Sequence, residues 1–120
     1  MDFRVQQAKA LIENSLQQDS QFDSIAKQLN ISPSRLRHLF KSETGTSPMQ
    51  YHKALRLEQA KHLLEITFLN VKKIMLQVGI KDESNFVRDF KRRYGLSPKQ
   101  YRAQYQNSHN NQRIAILTNK

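Results

Sequence analysis

Two short stretches hold side chains able to read base edges. Ser34, Arg35, Arg37 and His38 lie in SRLRH, and Glu83, Ser84, Asn85, Val87 and Arg88 lie in ESNFVR. An arginine's paired donors match O6 and N7 of guanine, and an asparagine amide matches N6 and N7 of adenine. Guanine is therefore the expected ligand of Arg37 and Arg88, and adenine of Asn85. The hydroxyls of Ser34 and Ser84 suit bases or phosphates, and Val87 suits a thymine methyl. Lys41 follows the first stretch, and Lys91, Arg92 and Arg93 follow the second. Cations there would neutralise phosphates and hold a complex without reading its sequence.

The charge map points the same way. The 120 residues carry a net charge of +10 and a pI near 10.2, a balance that favours a polyanionic partner. Residues 1–30 sum to −1 and residues 57–80 to +1, whereas residues 31–56 and 81–102 each sum to +4. The excess sits on the two candidate stretches and the turns after them. Taken alone, Arg35, Arg37 and His38 fit an ordinary solvated face equally well. The doubling of the pattern tips the balance towards double-stranded DNA.

Other chemistries find little support. With no cysteine, the chain has no disulfide framework, zinc knuckle or thiol nucleophile. The histidines at 38, 52, 62 and 109 are scattered and lack metal-ligand spacing. No nucleophile elbow or similar catalytic pattern occurs, so neither an enzyme nor a cofactor is expected. No apolar run approaches the ~18 residues of a membrane span, and the expected setting is the cytoplasm, with no membrane partner.

Helices must position these residues, because the apolar side chains recur at helical spacing. Val5, Ala8, Ile12 and Leu16 give a first helix over about residues 3–17, and Phe22, Ile25, Ala26 and Leu29 a second, capped by Ser20. Ser32 and Pro33 open a third that Gly45 ends, with Leu36, Leu39 and Phe40 inward. Ser47, Pro48 and Gln50 form a capping box with proline at the first turn. The long helix they open places Tyr51 and Leu55 on one side and Leu57, Ala60 and Leu64 nearly opposite, so different neighbours should pack its two ends. Val71, Ile74, Met75 and Val78 then mark a helix ended by Gly79. Asp82 caps the next, with Phe86 and Phe90 inward, and Gly95 ends it. Ser97, Pro98 and Gln100 begin a last helix expected to finish near Gln106, before a polar tail interrupted by Ile114–Leu117. FKSETGTSPMQY at 40–51 and FKRRYGLSPKQY at 90–101 share seven of twelve positions, the same helix exit and helix start in two units. Phe40, Phe90, Tyr51 and Tyr101 fall at packing positions and read as core.

The reading is an all-α chain of about seven helices: a first helix-turn-helix subdomain (1–52), a shared linker helix (47–66), a second subdomain (67–106) and the tail (107–120).

At this level the sequence resembles the DNA-binding domain of the AraC/XylS family of bacterial transcription regulators, over about residues 5–105. The resemblance rests on Ala26, Leu29, Ser32, Leu36, Phe40, Lys41, Gly45, Pro48 and Tyr51, on Arg56, Ala60 and Leu64, and on Gly79, Ser84, Phe86, Phe90, Gly95, Ser97, Pro98, Tyr101 and Arg102. Met75 stands for a usual alanine, Ile80 for a usual aromatic, and Asn85 for a common tyrosine. Met75 and Ile80 are expected in a repacked core, and Asn85 as a difference in specificity. The resemblance implies two recognition helices entering successive major-groove segments of an asymmetric, bipartite site. It also implies transcription regulation, more commonly activation through RNA polymerase, by a chain expected to be monomeric. A stand-alone regulator and the DNA-binding half of a longer effector-responsive one both fit. The rivals are a weakly specific architectural binder, with steep salt dependence and no preferred sequence, and a module for an acidic protein partner.

Overall fold

The computed structural model describes the backbone of residues 2–18 and 22–118, with side chains as far as residue 109. Seven helices follow one another: α1 (Phe3–Asn14), α2 (Phe22–Gln28), α3 (Pro33–Thr44), α4 (Pro48–Ile66), α5 (Val71–Val78), α6 (Glu83–Tyr94) and α7 (Pro98–Thr118). The fold is all-α, with α2–α3 and α5–α6 as helix-turn-helix pairs and α4 running between them.

Local chemistry sets most of the boundaries. The Arg35 amide donates to Ser32 Oγ at 3.2 Å, and the Asn85 amide to Asp82 Oδ1 at 2.8 Å. Each satisfies an amide that the first helical turn leaves without a partner. In both capping boxes the bonds are reciprocal: Ser47 with Gln50 at 3.3 and 3.2 Å, and Ser97 with Gln100 at 3.0 and 3.2 Å. Gly45 and Gly95 end α3 and α6 at φ 81° and 84°, where a side chain would be strained. In the turn of the first pair, Asn30 takes the left-handed position (φ 55°) that Gly79 takes in the second (φ 83°). Asparagine is among the few other residues to visit that region readily.

The chain divides into two compact units, Met1–Arg56 and Leu57–Lys120. Val5, Ala8 and Ile12 of α1, Phe22, Ile25 and Ala26 of α2, Ile31, and Leu36 and Phe40 of α3 make the core of the first, with Tyr51 and Leu55 of α4 packed on it. The second is built from Leu57, Ala60, Leu63 and Leu64 of α4, Ile74, Met75 and Val78 of α5, and Phe86 and Phe90 of α6, with Ile80 and Tyr101 against it. The divided faces of α4 thus serve two cores, as its apolar pattern requires. Full burial of Phe40 and Phe90 contributes roughly 1.5–3 kcal/mol apiece.

The sequence repeat is also a repeat of geometry. Phe40 meets Tyr51 edge-on at 5.4 Å and 66°, and Phe90 meets Tyr101 at 5.7 Å and 65°. Tyr51 donates its hydroxyl proton to Glu13 of α1, and Tyr101 to Glu65 of α4. α1 therefore does for the first unit what the second half of α4 does for the other.

Two helix ends differ from the sequence reading. α1 stops at Asn14 and not near residue 17, because Ser15 Oγ donates to the Leu11 carbonyl at 2.6 Å and its amide turns to Ile12. Such side-chain bonds compete with helix continuation. α7 continues past Gln106 to Thr118, since residues 107–118 contain no glycine or proline to stop it. Ser20, and the side chains of Ile114–Leu117, lie outside the described residues.

Candidate nucleic-acid interface

α3 and α6 bury one stripe and expose the rest. Leu36 and Phe40 are buried beneath Ser34, Arg35, Arg37, His38 and Lys41, all of which are exposed. In α6, Phe86 and Phe90 are buried while Glu83, Ser84, Asn85 and Arg88 are exposed, together with Lys91, Arg92 and Arg93. Val87 is half-buried, so it offers less apolar surface than the sequence suggested.

Several of these side chains already have partners. Arg37 lies 3.6 Å from Asp23 of α2 and 5.2 Å from the ring centre of Phe22. Arg88 Nη2 donates to Asn85 Oδ1 at 2.8 Å. Arg93 lies 3.6 Å from Glu58 and over the Tyr94 ring. Lys41, Lys91 and Arg92, by contrast, form no ion pair among the described residues. Their charges are open to an outside anion.

The charge map also counted two arginines that act inside the fold. Arg102 Nε, Nη1 and Nη2 donate to the carbonyls of Leu64 (3.1 Å), Leu69 (2.5 Å) and Thr67 (3.2 Å). Loss of solvent pulls its pKa below the usual arginine value, yet arginine remains charged. The last turn of α4 has no basic residue of its own; Arg102 brings one from α7. In the first unit Arg56 donates to the carbonyls of Leu16 (2.7 Å) and Gln18 (2.8 Å), and His52 Nε2 meets Leu16 at 3.0 Å. Position 52 aligns with 102 in the repeat, so histidine and an arginine one turn later share the task of Arg102.

Sequence reasoning passed over three features here. Asp89 is buried in α6, with Oδ1 3.9 Å from Arg88 Nε; no local pattern announces it. The roles of Arg56 and Arg102 depend on carbonyls more than thirty residues away. Lys72 and Lys73, exposed in the first turn of α5, were legible, because the first helix of such a pair crosses the phosphate backbone.

Paired helix-turn-helix units with polar, cation-bearing second helices define a class of DNA-binding domain. A family model described as a helix-turn-helix domain matches residues 25–104. The arabinose operon regulatory protein of Escherichia coli is 40% identical over 105 residues, which cover 86% of this chain and 36% of that protein. The C-terminal domain of AraT, a response regulator from Geobacillus stearothermophilus, superposes with a TM-score of 0.79 at 34% identity, covering 86% of each chain. The DNA-binding domain of AdpA, a global transcriptional factor solved in complex with a target DNA, gives 0.81 at 25% identity, covering 89% of this chain and 96% of that one. This chain belongs to the AraC/XylS family of helix-turn-helix DNA-binding domains. It spans about a third of the length of the curated relatives it matches. No described helix is long and apolar enough to cross a membrane.

Proposed function

We propose that the chain binds double-stranded DNA in a sequence-specific manner as a monomer and regulates bacterial transcription, α3 and α6 each reading a major-groove segment of an asymmetric, bipartite site. The observation that carries this reading is the duplicated recognition helix: two helices that share a side-chain N-cap, a glycine C-cap and a buried phenylalanine (Phe40, Phe90) but carry unlike exposed residues, SRLRH and ESNFVR. Unlike readers require unlike boxes. The AdpA domain solved with a target DNA supports the class of ligand. α4, at 19 residues, is ~28 Å long, compatible with boxes about one helical turn apart, near 34 Å. Ser34, Arg35, Arg37, His38, Glu83, Ser84, Asn85, Val87 and Arg88 are assigned to the two helix faces that meet the bases, whether by direct contact or by positioning a neighbour. Lys41, Lys91 and Arg92 are placed at phosphates, with Arg93 joining them if it leaves Glu58. Activation through RNA polymerase is the role the family resemblance favours.

Selection from a random duplex pool at about 150 mM salt, where non-specific binding is weak, tests the reading. Two unlike enriched boxes about one turn apart are the expected result. A single box would mean that one unit only clamps backbone, and no enrichment would replace the reading with architectural or protein binding.

A further inference from the structure

We propose that Asn85 reads no base itself but positions Arg88, so that the two side chains act as one guanine-reading device. The inference rests on α6 being a groove-reading helix. Arg88 Nη2 donates to Asn85 Oδ1 at 2.8 Å, and Arg88 Nε lies 3.9 Å from Asp89 Oδ1. The Asp89 side chain is only 10% exposed whereas that of Arg88 is 61% exposed. A carboxylate fixed in the body of the unit and an amide one turn before Arg88 thus hold two of its three nitrogens.

What remains is the reading edge. Among the described residues, the hydrogens of Nη1 and the second hydrogen of Nη2 have no protein partner. Donors on neighbouring terminal nitrogens have the spacing that bridges O6 and N7 of guanine. A guanidinium has no acceptor, so only the oxygen of the Asn85 amide can face it. That commits the oxygen which adenine N6 would need to a cation, and the same cation opposes the donor hydrogens of adenine N6. Holding Arg88 before DNA arrives also removes part of the ordering cost of binding. α3 offers an internal contrast: Arg37 is held there by Asp23 from α2, at 3.6 Å. The amide device belongs to α6 alone.

The test repeats the duplex selection with the whole chain and with Asn85→Ala, Asn85→Asp and Arg88→Ala. The wild type should show a guanine in one box that Arg88→Ala abolishes. Asn85→Ala should lower that guanine preference by about three- to ten-fold, at the same position and no other. Asn85→Asp should retain it, because a carboxylate accepts from Arg88 although it cannot donate to adenine N7. Its added negative charge lowers overall affinity without altering the pattern of bases. Relaxation of an adenine at a different position by Asn85→Ala, unrestored by Asn85→Asp, would overturn the proposal and leave the groove reading intact. Uniform weakening of all sequences by Arg88→Ala, with no box assigned to α6, would remove the groove reading and the proposal with it.

Discussion

Replacing Arg102 by alanine takes three hydrogen bonds from the carbonyls of Leu64, Thr67 and Leu69 at once. A hydrogen bond from a charged donor contributes about 1.5–3 kcal/mol when its acceptor is buried. These acceptors are only part-buried, so water recovers a good share of each. The helix end also loses a cation, a further loss of about 0.3–1 kcal/mol. The expected destabilisation is about 2–4 kcal/mol, confined to the second unit. Urea unfolding followed by tyrosine fluorescence suits the question, since Tyr94, Tyr101 and Tyr105 are in that unit and only Tyr51 is outside it. With an m value of about 1.5 kcal/mol/M, the midpoint should fall by roughly 1–3 M. Arg102→Lys should recover no more than about half of the loss, because a compact ammonium cannot span three carbonyls as the planar guanidinium does. A loss below about 0.5 kcal/mol for Arg102→Ala, or full recovery by lysine, would refute the reasoning: the carbonyls would then be satisfied by water or by any nearby charge.

Gly95→Ala should cost about 1 kcal/mol, read as a lower thermal midpoint; nothing lies within 4 Å of the added methyl, so the penalty is that of φ 84° alone. Burial, followed by the Glu65 hydrogen bond, raises the Tyr101 pKa. Because the unfolded chain ionises first, this contribution is complete below about pH 10 and is lost progressively above it. Tyr101→Phe should therefore flatten the alkaline limb of stability measured by denaturant titration, and an unchanged limb would exclude the role. Lys91→Ala should weaken all duplexes alike and reduce the slope of log affinity against log salt by about 1; an unaltered slope would mean that Lys91 meets no phosphate.

Backbone caps that act within one turn were legible in the sequence; side-chain pairings, whether one turn or dozens of residues apart, were not. Ser32, Gly45, Asp82, Gly95 and both proline capping boxes act on amides and carbonyls within one turn, so residue type and spacing sufficed. The split face of α4 was readable because burial follows helical period. Arg37, Arg93 and Arg102 illustrate the opposite case. Each looks like a free cation in the sequence, but Asp23, Glu58 and three backbone carbonyls claim them through contacts that only folding creates. The candidate site was thus legible as a set of exposed helical residues. Its internal restraints, including the hold of Asn85 on Arg88, were not.

The kinship of α1 with the second half of α4 bears on how this protein can be cut. The family match begins at residue 25, which makes that position an inviting place to start a shortened fragment. Such a fragment would lack Val5, Ala8, Ile12 and Phe22, four of the nine buried residues of the first core, and the carboxylate partner of Tyr51. The second unit carries its brace with it, joined covalently through α4; the first depends on a helix that the family model leaves out. The smallest piece in which both halves keep a complete interior begins at α1, so the limits of the matched family model and of independent folding do not coincide.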